Sequence, residues 1–243
     1  DFSAPFYQFY SEGPGVTTAM KYGWNNAYGG VNFRILGMPI DSLVHFLYVD
    51  LAGRFGIRVS TSYFITKLVI YLGVGIAASW VCSELLRIAG KTRNNWSVLF
   101  LTSTVLFLTL QNHGIWSNDP VSSYPLAGFG SVIFGLVVLG FTLRITRIGI
   151  TGLRITVLSL LTTSSVLYYE INVAAIVGIA PFLAFSALRA DKEFQSSVIQ
   201  KVKRLLLVSI PCVTPALLLL AGRMLSGSAA QTYSGTTIRL GER

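Results

Sequence analysis

Apolar residues run almost without interruption through six windows of the chain, at roughly 62–85, 95–112, 124–143, 150–168, 171–188 and 203–222. Each window approaches the roughly 20 residues needed to cross a hydrocarbon layer about 30 Å thick. A backbone in lipid has to satisfy its own hydrogen bonds, so the pattern predicts six transmembrane helices. Lys67 interrupts the first window near its start, where a long side chain can snorkel to the interface. Ahead of the windows, Ile40, Leu43, Val44, Leu47 and Leu51 fall at helical spacing while Asp41, His45 and Asp50 fall elsewhere. This predicts an amphipathic helix at about 40–51 lying in the membrane interface, with its apolar side in lipid or against the bundle. The stretch before it is dense in aromatics, Gly and Pro and reads as an ordered loop on the membrane surface.

Composition agrees with this pattern. Of 243 residues, 52% are hydrophobic and 12% charged, with a mean hydropathy of +0.61, against roughly 25% charge in a soluble domain. The fold class expected is an all-α polytopic membrane protein. Residues 1–61 form a loop region with the interfacial helix, 62–223 the bundle, and 224–243 a tail leading into further sequence. A chain that opens on Asp1 also suggests a seventh helix before it. Cys82 and Cys212 both sit inside apolar windows without ligand-like spacing and read as packing residues.

A net charge of +9 would suggest nucleic acid in a soluble protein, but here the basic residues gather between windows, so no nucleic-acid partner is expected. Arg87, Lys91 and Arg93 follow the first window, Arg144, Arg147 and Arg154 the third, and Arg189, Lys192, Lys201, Lys203 and Arg204 the fifth. The alternate segments, "QNHGIWSNDPVSSYP" and "YYEIN", carry no Lys or Arg. The positive-inside rule then puts the basic segments in the cytoplasm of a multi-pass cell-membrane protein. Asp1, Asp41, Asp119, Glu170, His45 and His113 fall on the extracytoplasmic face, with Arg223 at the end of the last window. Chemistry is expected there.

Among these, Asp119 in "SNDP" suits a turn or helix start, or a carboxylate beside His113 and Trp116 at the mouth of the bundle. Glu170 suits the positive end of the helix that follows it. It is also an ionisable group at membrane depth, which is a functional candidate. Arg223 is an outer anchor, or a guanidinium placed for bidentate contact with a lipid phosphate.

An outward acid, then an outer loop with "P…FY…W N…YGG…N…G M P", an interfacial helix and short helix hairpins resembles the start of a GT-C glycosyltransferase module. It is similar in particular to membrane enzymes that use polyprenyl-phosphate sugars, including arabinofuranosyltransferases of cell-wall synthesis. The resemblance covers most of the chain as a pattern. It implies transfer of a sugar from a polyprenyl-phosphate donor to a cell-envelope glycan acceptor within the bilayer's outer face. It matches Asp1 to the carboxylate that deprotonates the acceptor hydroxyl, and Asp119 to an acid that serves some members as ligand to a divalent cation (Mg, Mn or Ca). This chain has "SNDP" where a DxD would stand. Glu170 takes a supporting catalytic role, and Trp24, Asn25, His113, Tyr169 and Arg223 are the expected substrate contacts. The alternatives are a non-catalytic scaffold subunit of a larger assembly and a transporter or flippase of a lipid-linked substrate.

Overall fold

Every regular element among the described residues is helical. The computed structural model describes residues 15–29, 35–90, 95–111, 127–169, 172–190 and 198–225. The helices are α1 (Val16–Gly29), α2 (Gly37–Phe55), α3 (Val59–Ile88), α4 (Trp96–Gln111), α5 (Ala127–Ile148) and α6 (Gly152–Tyr168). A single α-turn, α7 (Asn172–Ala174), then passes through a π-helical turn (Ala175–Ile179) into α8 (Ala180–Ala190), and α9 (Val198–Leu225) follows.

Each of the six apolar windows contains a helix. Three of them, over Val59–Ile88, Gly130–Ile148 and Ile199–Leu219, are long and apolar enough to cross a membrane. The apolar helices over Trp96–Val105, Gly152–Tyr168 and Ala175–Leu188 are shorter. The helix ends follow local chemistry. Gly56, at φ 60°, closes α2, and the Ile57 amide returns to the Ala52 carbonyl at 3.0 Å, a closure that a left-handed glycine permits. Thr151 caps α6 by accepting from the Arg154 amide at 3.4 Å.

Small residues set the spacing of the bundle. A methyl group on Gly140 of α5 would come within 2.9 Å of the Trp80 ring on α3, and one on Gly73 of α3 within 3.1 Å of Ile133 on α5. With Glu84 bonded to Arg147 farther along, these contacts run in register, so α3 and α5 lie side by side in the same direction. The largest core cluster joins Val138 and Ile145 of α5, Leu158 and Val166 of α6, Ile176, Ala180 and Ala184, and Val208 and Cys212 of α9. Large apolar side chains also cover the outside: Phe64, Leu101, Leu153, Leu160, Phe182, Ile199 and Leu218 are each more than 60% exposed. A surface of this kind is stable against hydrocarbon rather than water.

Two expectations about the segment before α3 change. Residues 16–29, read as loop, form helix α1, because Ala19 and Gly23 lie four apart on one buried face. A methyl group on Gly23 would fall 2.6 Å from the Pro39 Cα, so α1 packs backbone to backbone on the start of α2. The expected amphipathic helix is α2, and its buried residues are Gly37, Pro39, Asp41, Tyr48 and Ala52. Leu47 and Leu51, of the apolar stripe, are exposed. Ile40, Leu43 and Val44 of the same stripe are half-buried, so the stripe lies partly outward and partly against the protein, and the face carrying Asp41 turns into the protein.

Candidate functional site

Asp41, His45 and Tyr48 recur at helical spacing on α2, which stacks them along its inner face. Asp41 is only 6% exposed. Its Oδ2 stands 3.8 Å from His45 Nε2, too far for a direct hydrogen bond. His45 Nδ1 is hydrogen-bonded to the Tyr48 hydroxyl at 3.1 Å. Burial pushes the His45 imidazole down to about 4, because a charged ring would lose its water. The ring is therefore held neutral at neutral pH, where its nitrogens serve as hydrogen-bond partners rather than as a cation.

Neighbouring helices close around this face. Tyr63 of α3 meets the Tyr48 ring edge-on, with centroids 5.6 Å apart, and the Lys67 ammonium lies 5.2 Å from the Tyr63 ring centroid. The Leu36 amide donates to the Leu167 carbonyl at 3.1 Å, which fastens the start of α2 to the end of α6. Beside it Tyr168 is 1% exposed, stacks on Phe134 of α5 and lies within electrostatic reach of Asp41. A methyl group on Gly130 would come within 2.8 Å of Tyr168 Cζ, so only glycine admits the phenol there.

Behind Tyr168 the polar layer continues through a buried amide. Asn172 Nδ2 donates to the Ser165 hydroxyl at 2.9 Å and to the Ser165 carbonyl at 3.2 Å, and its Oδ1 accepts from the Ser131 hydroxyl at 3.2 Å. All three residues are buried. The amide is satisfied on both sides, as a polar group in an apolar bundle must be. It joins α5, α6 and the start of the π-helical segment.

Of the expected site residues, Asp1, His113, Asp119 and Glu170 lie outside the described residues, and so does the expected metal ligand set at Asp119. Trp24 and Asn25 are on α1, both exposed, Trp24 at 45%. Tyr169 is half-buried directly after α6. Arg223 lies on the last turns of α9. Among the described residues no group of three or more His, Cys, Asp and Glu is placed to hold a metal ion. The structure adds a group that the sequence reading left without a role: Asp41, His45, Tyr48 and Tyr168, with Ser131, Ser165 and Asn172 behind them. Its one sequence signal was the helical spacing of Asp41, His45 and Tyr48.

No protein-family model, curated protein or solved structure matches the chain. The class rests on the molecule itself: a helical protein embedded in a membrane, with three long apolar helices and a buried polar layer at one end of its bundle.

Proposed function

We propose that the chain is the membrane module of a glycosyltransferase that takes its sugar from a polyprenyl-phosphate donor and passes it to a glycan acceptor at the Asp41 end. The supporting observation is the buried layer there, a carboxylate 3.8 Å from a neutral imidazole on the inner face of α2. Glu170 directly follows Tyr169, and the segment with Asp119 leads into α5, whose Gly130 abuts Tyr168. In this reading the base is Asp1, the residue the GT-C resemblance matches to that role. It takes the proton of the acceptor hydroxyl as the acceptor oxygen bonds to the anomeric carbon. The bond from that carbon to the phosphate oxygen breaks through an oxocarbenium-like state, and the polyprenyl phosphate leaves with the electron pair. Arg223 is suited to hold the departing phosphate. Asp41 and His45 act as positioning residues beneath the reacting groups. The test is transfer of a radiolabelled sugar from polyprenyl phosphate to an oligosaccharide by the protein in nanodiscs, in wild type and Asp1→Asn.

A transporter of a lipid-linked substrate is the second reading. It is favoured by the π-helical turn over Ala175–Ile179 and by Pro211 and Pro215 inside α9, since broken helices line substrate paths in transporters. Vesicles with a substrate gradient and no acceptor separate the two: flux without sugar transfer is the transporter's result.

A further inference from the structure

The other end of the bundle holds a second buried carboxylate. Tyr63 and Glu84 lie near opposite ends of α3, roughly 30 Å apart along its axis. Glu84 is fully buried. Arg147 of α5 gives it Nε and Nη2, both at 2.9 Å to Oε2, and Arg87 gives Nη1 at 3.2 Å to Oε1. Each carboxylate oxygen is thus engaged, as a buried anion requires. The cations are not used up by this. Their side chains stay 42% and 31% exposed, and two guanidiniums on one carboxylate leave a net positive charge. Arg87 Nε and Nη2 and Arg147 Nη1 make no hydrogen bond among the described residues.

Arg87 and Arg147 each stand in the last turn of a helix long and apolar enough to cross a membrane. The pair therefore sits where hydrocarbon gives way to headgroups. A tetrahedral phosphate can take, on the open side of these guanidiniums, the place Glu84 holds on the closed side, because the planar fork presents donors along more than one edge. We propose that Arg87 and Arg147, bridged by Glu84, bind the phosphate of an anionic phospholipid headgroup. The carboxylate sets the spacing of the two cations and stops them from folding outward separately. The site is independent of the reaction proposed for the Asp41 end.

The test is native mass spectrometry of the purified protein titrated with phosphatidylglycerol, with phosphatidylcholine, and with phosphatidylglycerol in the presence of millimolar inorganic phosphate. Wild type is expected to bind phosphatidylglycerol saturably and more tightly than phosphatidylcholine, with no displacement by inorganic phosphate. Arg87→Gln is expected to weaken phosphatidylglycerol by more than about tenfold, because it removes a charge-assisted hydrogen bond to the phosphate together with the charge. Arg144→Gln, at an exposed arginine on α5 with no bond to Glu84, removes surface charge alone and should weaken it by about fivefold at most. If Arg87→Gln does not fold, Arg87→Lys replaces it; this keeps the charge, loses the fork, and is expected to weaken binding about threefold. Equal affinity for the two lipids, displacement by inorganic phosphate, or equal losses at Arg87 and Arg144 overturns the proposal.

Discussion

The Thr162 hydroxyl donates to the main-chain carbonyl of Pro211 at 2.8 Å, and that carbonyl is one that Pro215, having no N–H, leaves without its usual helical partner. Thr162 of α6 also lies 3.0 Å from its own Leu158 and Ser159 carbonyls, but it has one proton to give. The bond across to α9 is the shortest, and it meets a need created by the proline. Thr162→Val, similar in shape, is expected to destabilise the protein by about 1–3 kcal/mol, the effect of leaving a buried acceptor unmet. In Pro215→Ala, where an amide returns four residues after Pro211, the same substitution should cost less. A double-mutant cycle by thermal unfolding in detergent checks this, and additive losses would contradict it.

Asn172 joins three elements through one amide. Asn172→Leu removes the acceptor of the Ser131 hydroxyl and the donor to Ser165, and is expected to cost about 2 kcal/mol or more. Hydrogen exchange should rise first in the segment from Asn172 through the π-helical turn. Uniform exchange across all helices would mean that the amide does not hold this junction.

Gly140 and Trp80 touch with no space between them. Gly140→Ala should lower stability by about 1–3 kcal/mol through overpacking, and Trp80→Leu should relieve part of that loss by vacating the ring. Thermal melts of the single and double variants decide it.

His45 makes stability depend on pH in a defined direction. Its imidazole is near 4 when folded and 6.5 when free, so between these values the unfolded chain binds more protons. Its contribution is complete above pH 6.5 and falls away as the pH drops toward 4, by about 3 kcal/mol over that window. Among the described residues, Asp41 and Tyr48 on the same helix face it directly, and Tyr63 of α3, with Lys67 over its ring, packs on Tyr48. His45→Asn should flatten the melting temperature of the protein between pH 6.5 and pH 4. A variant that keeps the full wild-type slope would assign the effect to another group.

The helices were legible because an apolar run in lipid has few alternatives, and each of the six windows contains one. The face of α2 that turns inward was not, since a membrane protein can satisfy Ile40, Leu47 and Leu51 equally well with lipid or with protein. Asp41 was accordingly read as the polar side of a surface helix, although its spacing to His45 and Tyr48 already stacked three polar groups. Helix α1 was hidden by "GWNNAYGG", whose glycines read as loop; Gly23 serves instead for close approach to Pro39. The π-helical turn after Asn172 left no mark that periodicity detects. Charge counting separated Glu84, Arg87 and Arg147 from Asp41 and His45, and the two groups occupy opposite ends of the bundle.

The most direct measurement of the central proposal is sugar transfer by the protein in nanodiscs, supplied with polyprenyl-phosphate-linked pentose and hexose donors and an oligosaccharide acceptor. The expected result is a glycosylated acceptor and free polyprenyl phosphate in equal amounts, with Asp1→Asn about 100-fold slower or worse and donor binding unchanged. Absence of transfer from every donor, or an Asp1→Asn variant as fast as wild type, would contradict the account.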